Sequence, residues 1–324
     1  MGQKKVNELK VGSIITYINL IISTIIPLLY TPIMLRILGQ EEYGLYSLSN
    51  SVISYLTLLN LGFGTAIIRF ISKFRIEGDH DKIEGVTGLI LSIYGIIAII
   101  VCIVGFLLTK GTGLFFGTGL TVNEIQRLKI LMVIMTVSTA ISFPVSVLSS
   151  VSVAYEKYIF RKMVDMIATI ATPILNLIVL FLGYASIGLA MIGLGIQLIY
   201  GIIFIWYCKQ KLNVVPRFKD MPFYMVKEIL GFSIYVFASS IIDMLYWATD
   251  KVLIGSVLGT VAVAVYNIGG TFTSMLQNMS SAISGVFGTR VNMMVFGNQP
   301  MEKLSELLIR IGRLQYYIVS LILS

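Results

Sequence analysis

Long apolar runs separated by short polar turns dominate this chain, and they recur at the length of one bilayer crossing. A spanning helix needs about 20 predominantly apolar residues, and such runs fall near 11–35, 43–70, 86–109, 128–153, 163–183, 187–207, 229–250 and 260–288. A ninth starts near Leu314 and reaches Ser324 after about ten residues. Half a span leaves backbone groups unsatisfied in hydrocarbon, so the pattern predicts a fragment of a longer protein. The N-terminal run is too long for a signal-peptide core of about 7–15 residues and lacks a small-residue cleavage site, so it reads as a retained span. The expected class is all-α and polytopic, with eight full spans and the start of a ninth.

Polar residues inside these runs are the next signal, because in hydrocarbon they need a partner or a wet cavity. The seventh run carries Ser239, Asp243, Tyr246 and Asp250, spaced by four, three and four, which places them on one helical face. The first carries Thr16, Asn19, Ser23 and Tyr30 on one face, with Pro27 and Pro32 in the same run. Those prolines either bend the helix passively or mark the broken helix of a transport site. Further polar stripes are Ser47, Asn50, Ser54 and Thr57 in the second run, Asp165, Thr169, Thr172 and Asn176 in the fifth, and Asn267, Thr271, Ser274 and Asn278 in the eighth. These fit either interhelical hydrogen bonding or a cavity wall.

The chain also repeats itself. A gapless shift of 220 residues superposes Ser13 on Ser233, Ile21 on Ile241, Leu38-Gly39 on Leu258-Gly259, and Tyr46 on Tyr266, so both copies contain L-G-x6-Y. The first run matches the seventh with six spans per repeat, which is the parallel type of transporter repeat. Asn19 then falls on Ser239, Ser23 on Asp243 and Tyr30 on Asp250. Two pseudo-symmetric six-helix lobes are expected: an N-terminal lobe over 1–207, a cytoplasmic linker over 208–228, and an incomplete second lobe over 229–324. Their polar faces would line a shared central cavity.

Composition removes several function classes. Hydrophobic residues make up 56% of the 324 positions and charged ones 12%, about half the charge of a soluble domain. A soluble enzyme, a disordered tail and a nucleic-acid-binding domain are thereby excluded. Of the 24 Lys and Arg residues, only Arg36, Lys110, Arg127, Lys129 and Lys251 fall outside if the N-terminus is inside. This bias sets an N-inside orientation and accounts for the net charge of +8 without an anionic macromolecular partner. Cys102 and Cys208 form no disulfide framework or metal pattern. Asp79-His80-Asp81 reads as a solvated loop rather than a metal site. Gly111-Thr112-Gly113 reads as part of an outer loop of about 18 residues and lacks the strand-turn-helix setting of a phosphate cradle. Asn278-Met279-Ser280 is a sequon placed inside a span. No metal, cofactor or catalytic constellation is expected, and the chain does not read as an enzyme.

Three segments carry a resemblance. RILGQEEYGLYSL (36–48), LNLGFGTAIIRF (59–70) and ATDKVLIGSVLGTVAVAVYNIG (248–269) resemble the polysaccharide transport family, the Wzx-type oligosaccharide flippases of the multidrug/oligosaccharidyl-lipid/polysaccharide exporter (MOP) superfamily. The resemblance implies two six-helix lobes working by alternating access in a bacterial cytoplasmic membrane. The implied cargo is a polyprenyl-pyrophosphate-linked oligosaccharide moved from the cytoplasmic to the outer leaflet, with a polysaccharide polymerase and glycosyltransferases as candidate partners beside the membrane lipids. Cationic residues that meet the pyrophosphate are also implied. Arg36 and Arg69, both inside family-like segments, are the candidates, although each sits at a span end where a snorkelling role serves equally.

The expected cavity residues are Asn19, Ser23, Tyr30, Asn50, Ser239, Asp243 and Tyr246. Ion coupling would require an intramembrane carboxylate, for which Asp243 is the first candidate and Asp250 the second. Asp250 also reads as a local ion pair with Lys251. Two other functions remain open. A drug or cation extruder of the same superfamily could use Asp243, Tyr246 and Trp247. A membrane-embedded glycan polymerase, ligase or acyltransferase would want a large outer loop that this sequence lacks.

Overall fold

A computed structural model describes residues 2–60, 63–117, 119–219, 226–274, 276–277 and 301–323. Every regular element among the described residues is helical: α1 (Gly2–Ser54), a 3-10 turn (Tyr55–Asn60), α2 (Phe63–Glu77), α3 (His80–Phe116), α4 (Val122–Ala154), α5 (Tyr158–Phe181), α6 (Ala185–Lys211), α7 (Val226–Trp247), α8 (Thr249–Val257), α9 (260–274) and α10 (Met301–Leu323). Five stretches among the described residues are long and apolar enough to cross a membrane, the longest being Ile21–Asn60. The side chains of Thr16 and Trp247, the stripe member Asn278 and the sequon it begins lie outside the described residues.

The helix breaks decide between the readings left open by the sequence and add one inside the second expected span. The helix continues through Pro27 and Pro32, and the one non-helical position in α1 is Gly39, at φ 79° and ψ 166°. Proline costs one backbone bond and is tolerated in spans, whereas a left-handed φ with extended ψ is open chiefly to glycine. Gly39 thus divides the first expected span from the second. The second is itself interrupted: after the 3-10 turn, Tyr94 Oη of α3 donates to Asn60 O at 3.0 Å and also meets the Asn60 side chain. A helix end inside the apolar layer needs such a donor, because no water reaches its carbonyls.

The turns are shorter than the sequence suggests. Gly111-Thr112-Gly113 lies within α3, so the expected 18-residue outer loop shrinks to 117–121. Thr121 and Glu124 form a capping box that starts α4. Asp79 caps α3 by accepting the Lys82 N–H at 3.0 Å, and Asp81 pairs with Arg217 Nη2 at 2.9 Å. The Lys82 side chain and backbone N–H hold the Asp79 carboxyl below the usual range, so this motif caps a helix and anchors the segment around Arg217.

The helices assemble with apolar side chains inside and out. α3 and α4, joined by the short turn, pack along each other; α4 also lines α1, α2 and α6, and α1 lies along α5. Leu45 and Leu48 of α1, Ile67 and Ile71 of α2, Leu89, Ile90 and Tyr94 of α3, Leu128 and Leu131 of α4, and Phe204 of α6 fill the interior. Large apolar residues also face outward, with Ile96, Ile99, Ile103 and Leu107 along one stripe of α3 and Ile199, Ile202 and Ile205 on α6. Exposed aliphatic stripes of this size suit lipid rather than water.

Glycines set the closest approaches. A Cβ at Gly44 would lie 1.8 Å from Thr260 O, and one at Gly88 would lie 2.0 Å from Arg217 O. Backbone meets backbone at both places, so neither contact can yield by rotating a side chain. Gly44→Ala is expected to cost about 1–3 kcal/mol, as overpacking does, and to lower the thermal melting point in detergent. Gly95→Ala, which meets nothing within 4 Å, should leave the melt in place; equal melts for the two variants would contradict the α1–α9 contact.

Candidate functional site

Polar side chains from distant parts of the chain converge where α8 and α9 meet α1. Lys251 Nζ donates to Asn267 Oδ1 at 2.5 Å, and Asn267 Nδ2 donates to Tyr43 Oη at 2.6 Å. One relay therefore links α8, α9 and α1. Tyr43 is buried in a small core with Met34, Leu180, Leu189 and Ala264, against which Tyr30 and Tyr46 pack. Asn50, four residues on from Tyr46, is exposed. Tyr30 lies beside Asn176 of α5, and the Tyr30 hydroxyl and Asn176 Oδ1 complete no hydrogen bond among the described residues. A buried polar atom without a partner costs about 1–3 kcal/mol.

A second joint stands beside the first. Glu124, buried at the start of α4, accepts Thr260 Oγ1 at 2.6 Å and the Thr121 N–H and hydroxyl, each at 2.8 Å. Glu42 of α1 binds Arg127 of α4 and Ser186 of α6. Gly119 in the α3–α4 turn meets the carbonyls of Gly255 and Ser256, and Leu48 covers Gly255. Nearby, the Tyr55 and Thr249 hydroxyls are 2.8 Å apart, and Ser54 Oγ approaches Met244 Sδ at 3.3 Å. The α7–α9 segment is thus joined to the α1–α4 bundle through hydrogen bonds and glycine contacts.

Two glycines aligned by the sequence shift share a positive φ here. Gly259, aligned with Gly39 by the 220-residue shift, has φ 82° against 79°. The glycine of L-G-x6-Y is required by the left-handed turn that starts the following helix.

The residues expected from sequence to form the site fall on several surfaces. Asn19, Ser23 and Tyr30 are half-buried on α1, which packs against α4, α5, α6 and α8. Ser239, Asp243 and Tyr246 are exposed on α7, which packs on α2, the 3-10 turn and α8. Arg36 and Arg69 are exposed. Asp250 accepts from Tyr266 Oη, while its neighbour Lys251 turns to Asn267. The local Asp250–Lys251 ion pair is therefore replaced by two separate bonds, since consecutive helical residues point about 100° apart and do not face each other. In α5, Asp165 accepts from Tyr200 at 2.5 Å, and Thr169 and Thr172 donate to carbonyls four residues back.

Sequence reasoning misses Tyr43, Lys251, Glu42, Glu124 and Thr260. The T-x-x-E capping box at 121–124 is readable in the chain, but its second use as the acceptor for Thr260 depends on folding. Lys251 reads in sequence as an outer-loop charge, and its burial comes only from how α8 seats against α1.

The sequence matches the family described as polysaccharide biosynthesis protein over residues 9–287. No curated protein matches it. Among solved structures it is similar to a MOP superfamily transporter from Pyrococcus furiosus, described as having a binding pocket of reverse polarity that suggests a different function (TM-score 0.67, 17% identity, 96% of this chain and 70% of that one). It is also similar to a multidrug resistance MATE family transporter of the MOP superfamily in an outward-facing conformation (TM-score 0.66, 17% identity, 96% and 70%). A third likeness is to a MATE protein in complex with MaD3S (TM-score 0.66, 17% identity, 96% and 71%). At that identity the likenesses establish the fold.

Thr260→Val should loosen the joint without adding bulk. It removes one of the hydrogen bonds to the buried Glu124 carboxylate and is expected to cost about 1–3 kcal/mol. Thermal unfolding of the purified chain measures it, and an unchanged melt would show that Thr260 carries no share of the contact.

Proposed function

Because the chain belongs to the polysaccharide biosynthesis protein family, we propose that it works as a flippase. Its cargo is a polyprenyl-pyrophosphate-linked oligosaccharide, carried from the cytoplasmic to the outer leaflet for cell-surface polysaccharide synthesis. The observation that carries this reading is the family match over 9–287, set on a multi-pass transporter fold of the MOP type. Such a cargo is amphipathic: its saccharide needs hydrogen-bonding groups within the membrane while its tail stays in lipid. Tyrosine and asparagine side chains at the α1–α5–α9 meeting point supply uncharged donors and acceptors suited to sugar hydroxyls.

The rest of the reading rests on the sequence. The protein lies in a bacterial cytoplasmic membrane with its N-terminus inside, the lobe over 1–207 opposing a second lobe that begins near 229. Asn19, Ser23, Tyr30, Asn50, Ser239, Asp243 and Tyr246 line the shared cavity, and Arg36 and Arg69 meet the pyrophosphate. Asp243, with Asp250 behind it, couples transport to an ion gradient. A polysaccharide polymerase and glycosyltransferases are its pathway partners, and the protein itself performs no bond chemistry.

A cation extruder is the second reading, favoured by the fold shared with a multidrug transporter and by the exposed Asp243 and Tyr246 on α7. Complementation separates the two. Expression in a strain lacking its own oligosaccharide flippase should restore surface polysaccharide, and expression in an efflux-deficient host should confer no drug resistance. The reverse pattern would establish the extruder. Asp243→Asn is expected to lower transport about tenfold or more and remove its ion dependence, since the neutral side chain can no longer exchange a proton or bind a cation. Unaltered ion dependence would end the coupling role of Asp243.

A further inference from the structure

Lys251 is the unusual charge in this fold. It lies in α8, between the spans expected at 229–250 and 260–288, and its side chain is half-buried against α9 and α1. Its ammonium donates to a neutral carboxamide oxygen, and no carboxylate among the described residues lies within salt-bridge distance of it. Asp250, next in sequence, is engaged by Tyr266, and Glu124 is engaged by Thr260 and Thr121. Burial lowers the Lys251 ammonium from its ordinary pKa. Removing an ammonium from water without a paired counter-charge is costly. The donors around it also point to an anion: Tyr43 lies one amide away along the relay, and the unpaired Tyr30 hydroxyl packs on the same small core.

We propose that Lys251, held through Asn267 by Tyr43, forms an oxyanion subsite for the cargo: it takes a phosphoryl group or the carboxylate of an acidic sugar where α8 and α9 close on α1. The inference rests on the flippase reading for the identity of the cargo. With the N-terminus inside, the subsite stands at the outer end of the protein, where cargo leaves. An ammonium carries three N–H donors, so an arriving oxyanion takes one of those not used by Asn267, while the Asn267–Tyr43 relay holds the side chain in place.

The test is calorimetric titration of the full chain in phosphatidylcholine nanodiscs with inorganic pyrophosphate and, separately, with glucuronate. At least one probe should bind, and Lys251→Gln should weaken it about tenfold or more, the scale of one charge-assisted hydrogen bond. Lys251→Arg should bind within about threefold of the parent, and the exposed Lys110→Gln should match the parent. Tyr43→Phe, which leaves the charge in place and removes the anchor of Asn267, should weaken binding about threefold and keeps the test open if Lys251→Gln fails to fold. A Lys251-dependent response to pyrophosphate assigns the phosphoryl group, and one to glucuronate assigns the acidic sugar. No binding of either probe, or binding equal in parent and Lys251→Gln, overturns the subsite. Pyrophosphate affinity that collapses when phosphatidylglycerol replaces phosphatidylcholine overturns the cargo assignment in favour of bulk lipid headgroups. Failure here with successful complementation removes the subsite alone; Lys251-dependent binding without complementation removes the flippase reading and leaves the subsite.

Discussion

Hydrocarbon offers no hydrogen bonds, and that constraint shapes every part of this protein. Each backbone N–H and C=O within the apolar layer must be paired by the chain itself, so the described elements are all helical and their interruptions are few. Side chains satisfy two of the helix ends. The 3-10 turn at Tyr55–Asn60 is held by Tyr94 from α3, and the capped start of α4 is held by Thr121 and Glu124. Gly39 and Gly259 redirect the chain in left-handed conformations that another residue would adopt only under strain.

Association of the helices answers to the same constraint. Lipid solvates leucine as well as a protein interior does, so apolar burial alone provides little drive, and close backbone approach with interhelical hydrogen bonds takes over. Gly44 of α1 against Thr260 of α9 is an approach of this kind. Around it the chain places hydrogen bonds that a water-exposed surface would hardly need, including Thr260 to Glu124 and Asn267 to Tyr43.

Several features are legible from residue order. The periodic apolar runs establish the helical class, and the low charged fraction excludes a soluble protein. The 220-residue shift pairs Gly39 with Gly259, and both have a positive φ, 79° and 82°. Other features are hidden for physical reasons. Pro27 and Pro32 read equally as a passive bend or a broken helix, and only the fold shows the helix running on through both, because a span tolerates one missing backbone bond; the break falls at Gly39, between the first two expected spans. Gly111-Thr112-Gly113 looks like a loop, but α3 carries helix through to Phe116.

By itself, the sequence determined what period and composition dictate: helices of spanning length and a class confined to membranes. Tertiary structure decided which polar groups meet. Glu124 lies 136 residues before Thr260 and Tyr43 lies 224 before Asn267, and no periodicity within one helix carries information about a partner on another. The same holds for Lys251, whose bond to Asn267 is a property of packed helices rather than of its neighbours in the chain.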